Sequence, residues 1–112
     1  MKVENHQIVA EVGDPFQFRF IKSPNFKPQL SARQLVIHAT EGSTVAGAIG
    51  TFLNGEKSVH LILGKDGRDL VQMVAFNNKG VHAHDYNNTA IGIELDYPGL
   101  LTGKPGNFNS RS

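Results

Sequence analysis

The chain of 112 residues contains no cysteine and no tryptophan. Without cysteine there can be no disulfide and no thiolate ligand, so any zinc ion held by this chain must take imidazole and carboxylate groups. Eleven basic residues nearly balance ten acidic ones, which leaves a formal net charge of +1. Because no basic surface is indicated, we expect neither nucleic acid nor a membrane as a partner.

Long hydrophobic runs are also missing. Residues 1–6 include no apolar stretch of signal-peptide length, and no segment approaches the length of a membrane span. We therefore expect a cytoplasmic product, or one exported or released by a route that this sequence does not encode. A hydrophobic content of 39% and a charged content of 19% are typical of a globular protein, and the length suits one domain over residues 1–112.

The most informative segment is residues 80–96, where a histidine-bearing loop leads into a strand that carries Glu94. Alternation along a strand predicts that Ile91, Ile93 and Leu95 enter a core, while Gly92 leaves open space beside Glu94 on the other face. A carboxylate on a rigid strand beside a gap suits a hydrolytic site. The alternative from these residues alone is an ordinary edge strand with a solvated glutamate.

A second segment, residues 35–40, is a β-branched run that places His38 at the carboxyl end of a strand. Open sheets bind ligands at that edge, and neutral imidazole is the commonest protein ligand for zinc. A structural histidine is the alternative. The next residues break the strand, and Ser43 is the predicted cap of a helix that ends at Asn54 and Gly55.

The remaining pattern predicts an α/β fold with a central mixed sheet of about five strands. Residues 8–12 and 16–20 are predicted as strands, and a hairpin is predicted from residues 60–63 and 70–74 around the turn of Asp66 and Gly67. The apolar stripe of the one clear helix consists of Val45, Ala48, Ile49, Phe52 and Leu53.

One helix is too little cover for such a sheet, because a mixed sheet normally packs on both faces. Residues after Asp96 show no periodicity, and we predict a loop there. We expect the missing helices to lie beyond residue 112, or a partner such as a second copy of the chain to cover the exposed face. In either case the chain should expose apolar surface.

Several segments together resemble the zinc-dependent N-acetylmuramoyl-L-alanine amidases of the type 2 family, which includes peptidoglycan recognition proteins and phage lysozyme-amidases. The order and spacing of the segments carry the resemblance along nearly the whole chain. They are Pro15-Phe16, Ser23-Pro24-Asn25, residues 36–43 (VIHATEGS), residues 58–67 (SVHLILGKDG), His82-Ala83 and residues 87–96 (NNTAIGIELD).

The resemblance implies that this chain is the N-terminal part of an amidase domain acting on peptidoglycan or muropeptides. It implies zinc as the cofactor, His38 as the first zinc ligand and Glu94 as the catalytic acid/base. It also places His82, His84 and Asn87 in a loop that contacts substrate, and it gives His60 a substrate contact or an indirect supporting role.

The departures from the family pattern concern ligands and aromatic residues. Two further zinc ligands follow the Glu94 strand in family members, and this chain shows no counterpart after Asp96. Val59 replaces a tyrosine of the phage enzymes, and Val81 stands where tryptophan is common. We therefore expect weak zinc binding and little or no amidase activity from this chain alone. A module that binds muropeptide without cleaving it and a plain interaction domain are the alternative functions.

Overall fold

A computed structural model describes residues 1–39 and 44–96, together with the backbone of residues 101–104 and 107–110. The strands along the chain are β1 (Lys2–Glu4), β2 (Gln7–Val9), β3 (Gln17–Phe20), β4 (Lys27–Pro28), β5 (Gln34–Ala39), β6 (Leu61–Leu63), β7 (Asp69–Gln72), β8 (Asn78–Lys79), β9 (Ala90–Leu95), β10 (Leu101–Lys104) and β11 (Asn107–Ser110). Helix α1 covers Val45–Asn54, and a short 3-10 helix covers His84–Asn88.

The central sheet has five strands in the order β3-β7-β6-β9-β5, which confirms the predicted mixed α/β fold. Its strands β6, β9 and β5 run parallel, and β3 is parallel to β7, while β6 and β7 form an antiparallel hairpin. Gly67 has φ 75° in the turn of this hairpin, a conformation that glycine adopts without a steric penalty. The hairpin predicted from Asp66 and Gly67 is therefore confirmed.

Helix α1 begins after Thr44, whose Oγ1 accepts a hydrogen bond of 3.0 Å from the backbone N–H of Gly47. The cap predicted at Ser43 is thus one residue too early, and Ser43 itself lies outside the described residues. The helix ends as predicted at Asn54, and the N–H of Gly55 donates to the carbonyl of Thr51.

The core lies between α1 and the sheet. Its buried members are Val45, Ala48, Phe52, Val59, Ile62, Val71 and Met73. Because Ile62 pairs with Glu94 across β6 and β9, the side of the sheet that carries Glu94 is also the side that packs on α1. The prediction that the opposite side chains of β9 enter the main core is therefore wrong.

The other face of the sheet is only partly covered. Near β7 the N-terminal hairpin of β1 and β2 packs on it, and the buried amide of Gln72 bonds the backbone of Ile8, His6 and Val74. Near β5, Leu35 and Ile37 are 61% and 62% exposed. The expected apolar surface is present on this face.

Two further points concern the ends of the chain. The prediction of a loop after Asp96 is wrong in part, because β10 and β11 pair as an antiparallel hairpin. The sequence there has no apolar alternation that would predict strands. The strand predicted at residues 8–12 is shorter and pairs with β1, which the sequence pattern did not indicate. Among the described residues, no helix is long and apolar enough to cross a membrane.

Candidate active site

The site lies where the two parallel strands β5 and β9 carry His38 and Glu94 side by side. These residues are direct partners in the strand register, so both side chains leave the sheet on the α1 side at the same level. They open into a cavity of about 280 Å³ between the sheet and α1. The cavity is lined by His38, Ala39, Ala48, Thr51, Phe52, Lys57, Val59, His82 and Glu94.

A larger and shallower depression of about 990 Å³ lies near the turn between β6 and β7. Several carboxylates line it, among them Asp66, Asp69 and Asp96, but no histidine does. We place the site in the smaller cavity, because that cavity holds an imidazole and a carboxylate capable of proton transfer.

His82 fills the space that the missing side chain of Gly92 leaves open. A Cβ atom added at Gly92 would come within 2.8 Å of three atoms of the His82 ring. The gap predicted beside Glu94 is therefore occupied by an imidazole. Glycine inside a strand often marks such a close approach. In this position His82 Nδ1 lies 3.2 Å from His38 Nε2.

The loop that carries His82 is fixed by polar side chains on both sides. Asn87 Oδ1 accepts from the backbone N–H groups of His82 and Ala83, at 2.8 and 2.7 Å. The buried Ser58 hydroxyl accepts from the N–H of Val81, whose carbonyl accepts from the N–H of Ser58. Asn87 was predicted as a substrate contact, and the structure shows that its side chain holds the His82 loop.

His60 lies beneath the cavity and has no exposed surface. Its Nδ1 accepts from the N–H of Gly92 at 3.0 Å, so the ring proton is on Nε2, which donates to the carbonyl of Asn78 at 2.7 Å. With both nitrogens engaged, His60 supports Gly92 and the ring of His82 packed there. Of the two roles predicted for His60, a substrate contact or an indirect supporting role, this geometry suits the supporting one.

His84, the other histidine of the loop, is exposed and begins the 3-10 helix with φ 51°. It does not line the cavity. The structure therefore brings His38, His82 and Glu94 together, with His60 behind them, and leaves His84 outside the group.

Burial shifts the pKa values of the site in opposite directions for acids and bases. It lowers the pKa of His38, His60 and His82 below the ordinary value, because a charged imidazole is poorly solvated there. The charge of Lys57 lowers the pKa of His38 further. Burial raises the pKa of Glu94. Neutral imidazoles can bind metal, and a glutamate with a raised pKa can both accept and release a proton.

Lys57 is a residue of this cavity that the sequence analysis did not select. It follows α1 in an exposed turn, and its backbone carbonyl accepts a hydrogen bond from the side chain of Asn25. The Asn25 amide also donates to Gly55, which fixes the turn against the Ser23-Pro24-Asn25 segment. A lysine in an exposed turn carries no distinguishing pattern, and only the fold brings it beside His38.

The donors that face the cavity fit zinc in type, since the ion accepts imidazole nitrogen and carboxylate oxygen. His38 presents its ring at the strand end, as predicted. Within residues 1–39 and 44–96, however, no three histidine or acidic side chains converge as a ligand set.

Comparison with known proteins gives one family and two similar structures. A family model described as N-acetylmuramoyl-L-alanine amidase matches residues 28–111. A crystal structure of a selenomethionine AmpD derivative aligns with a TM-score of 0.59 at 20% identity, covering 88% of this chain and 72% of that one. A mutant endolysin from Bacillus subtilis aligns with a TM-score of 0.51 at 20% identity, covering 71% of this chain and 62% of that one. A search of curated proteins gives no match.

Proposed function

Because the chain belongs to the N-acetylmuramoyl-L-alanine amidase family, we propose that its site hydrolyses the amide bond between N-acetylmuramic acid and L-alanine of peptidoglycan or muropeptides. The observation that carries the proposal is the pairing of His38 with Glu94 on adjacent parallel strands, facing one cavity. An imidazole ligand and a proton-accepting carboxylate at the same level are the two groups that metal-assisted amide hydrolysis needs.

We propose zinc as the cofactor, with His38 as a ligand. When bound, zinc supplies a water of lowered pKa and polarises a carbonyl group. The two further ligands that the family pattern supplies after the Glu94 strand have no counterpart after Asp96 in this sequence.

Glu94 performs the proton transfers in this proposal. Its carboxylate accepts a proton from the attacking water as the water oxygen bonds to the amide carbon. It then returns that proton to the amide nitrogen, the C–N bond breaks, and the products are the lactyl carboxylic acid and the free amine of L-alanine. The raised pKa of Glu94 favours this exchange, because a base that is too weak would not take the proton and one that is too strong would not return it.

Lys57 supplies positive charge at the edge of the same cavity. In the transition state negative charge develops on the carbonyl oxygen, and a nearby cation lowers the energy of that state. The neighbouring Val59 has no polar group for this task. We therefore assign oxyanion stabilisation to Lys57 in this chain.

The test is turnover of a purified muropeptide, followed by mass spectrometry of the released peptide, with and without added zinc. Because this chain shows no counterpart of two family zinc ligands after Asp96, we expect turnover to be weak and to need added zinc. The bond cleaved should be the one between the lactyl group and L-alanine, and Glu94→Gln and His38→Ala should abolish its cleavage. His84→Ala is the matched control, since its side chain lies outside the cavity. Retention on peptidoglycan without any cleavage would instead support the binding module considered above.

A further inference from the structure

The contact between His38 and His82 is a nitrogen-to-nitrogen contact between two neutral rings. The ring centroids are 5.3 Å apart with planes at 83°, whereas His38 Nε2 and His82 Nδ1 are 3.2 Å apart, so the two nitrogens face each other. One of them must carry a proton and the other a lone pair, since two lone pairs at this distance would repel.

The surroundings of His82 indicate which ring donates. Its Nε2 is buried, and among the described residues no partner stands in hydrogen-bond geometry to it. The Ala90 backbone carbonyl nevertheless lies close enough to favour a ring N–H. Because Nδ1 faces His38 Nε2, Nε2 is the ring nitrogen left for that carbonyl, which attracts an N–H and repels a lone pair. The proton of His82 therefore belongs on Nε2, and its Nδ1 accepts.

We propose that His82 is a positioning residue that accepts a hydrogen bond from His38 Nε2–H and thereby reserves the lone pair of His38 Nδ1 for a metal ion. A ligating imidazole usually donates its second ring N–H to a neighbouring acceptor, which fixes its tautomer and orientation. The proposal deepens the proposed function, and it rests on that function for the identity of the ion.

Several neighbouring groups hold the ring of His82, the hydrogen-bond acceptor, in place. The ring of His82 packs on Gly92, which is itself bonded to His60, and Asn87 fixes its backbone. Gly80 adds to this seat, because a Cβ there would lie 3.1 Å from the ring and from the carbonyl of Ser58. These contacts hold the His82 ring against Gly92 and beside His38.

The first experiment measures the ring tautomers of the metal-free protein by 15N NMR at a pH of about 8, where both imidazoles are neutral. We expect His38 as one tautomer with the proton on Nε2. In His82→Ala this preference should be lost, and in His82→Asn it should return, because the Asn amide oxygen occupies the place of Nδ1. Gly92→Ala, which displaces the ring without removing it, should behave like His82→Ala. His84→Ala should leave His38 unchanged.

The second experiment titrates the same variants with zinc. We expect His82→Ala to weaken binding by roughly 10- to 100-fold and His82→Asn to restore most of it. An Asn variant as weak as the Ala variant would mean that His82 is itself a ligand, which overturns the proposal. So would a His38 tautomer that does not respond to His82→Ala. If the tautomers behave as expected but muropeptide is not cleaved, the proposed amidase function fails. The hydrogen bond from His38 to His82 would still be supported in that case.

Discussion

Removing the His60 side chain should destabilise the fold more than removing any exposed histidine. The change His60→Ala removes the partner of the buried N–H of Gly92 and of the carbonyl of the half-buried Asn78, and it empties the space of a fully buried ring. Each unpaired buried group costs about 1–3 kcal/mol, and loss of a buried ring adds a cavity cost of a few kcal/mol. Allowing for overlap, we expect a loss of roughly 4–6 kcal/mol, a large part of the 5–15 kcal/mol typical of a domain.

The assay is urea unfolding followed by circular dichroism, since the chain has no tryptophan to report by fluorescence. His60→Gln should lose less, about 1–3 kcal/mol, because its amide can still donate to the carbonyl of Asn78. His84→Ala is the control and should remain within about 0.5 kcal/mol of wild type.

The dependence on pH provides a second check. Burial lowers the pKa of His60, and its Nδ1 cannot hold a proton while it faces the N–H of Gly92. Because the pKa of His60 is lower in the folded protein, neutral His60 stabilises the fold at a pH above the ordinary histidine pKa near 6.5. That stabilisation is lost as the pH falls toward the pKa of His60 in the folded protein. The gap between wild type and His60→Ala should therefore narrow below that pH. A loss under about 1 kcal/mol at neutral pH, or a gap that widens in acid, would refute this account of His60.

Three further outcomes follow from the cavity. Glu94→Gln should reduce turnover by roughly 10²- to 10⁴-fold with muropeptide binding retained, as measured by single-turnover kinetics and calorimetry; unchanged turnover would remove Glu94 from the mechanism. Because the pKa of Glu94 is raised, the ionised form opposes folding above that pKa, so Glu94→Gln should melt higher than wild type at pH 7, and the difference should vanish in acid. Lys57→Met should lower kcat by about 10²-fold or less, since Lys57 is exposed to water. The same change should raise the pKa of His38 in an NMR titration, because the charge of Lys57 lowers it. Lys65→Met is the control outside the cavity, and an equal effect there would mean that net charge rather than position is responsible.

The sequence pattern was sufficient for the parts of the fold that depend on local periodicity. The alternation in residues 90–95, the apolar stripe of α1 and the Asp66-Gly67 turn each predicted the element that the structure has. The same alternation could not decide which face of β9 meets the helix, because both faces carry residues able to pack. That choice depends on the crossover of the chain, which local pattern does not encode.

For the candidate site, pattern placed His38 and Glu94 on strands, and the structure adds that the two residues are register partners. Lys57 lines the same cavity from a turn that has no local sequence signal. The hydrogen bonds that Asn87 and His60 make could not be predicted, for a different reason. Their side chains bond backbone groups 4–32 residues away, and such pairs are visible only once the chain has folded.

The position of β5 at one end of the sheet has a consequence for handling the protein. Glu94 sits on a strand with neighbours on both sides, but His38 sits on a strand that β9 alone anchors within the described sheet. Another chain can pair with this open edge, and the exposed apolar side chains of Leu35 and Ile37 favour such an association. Association should therefore increase as the protein is concentrated, and replacing Leu35 or Ile37 with a charged residue is the first change to make against it.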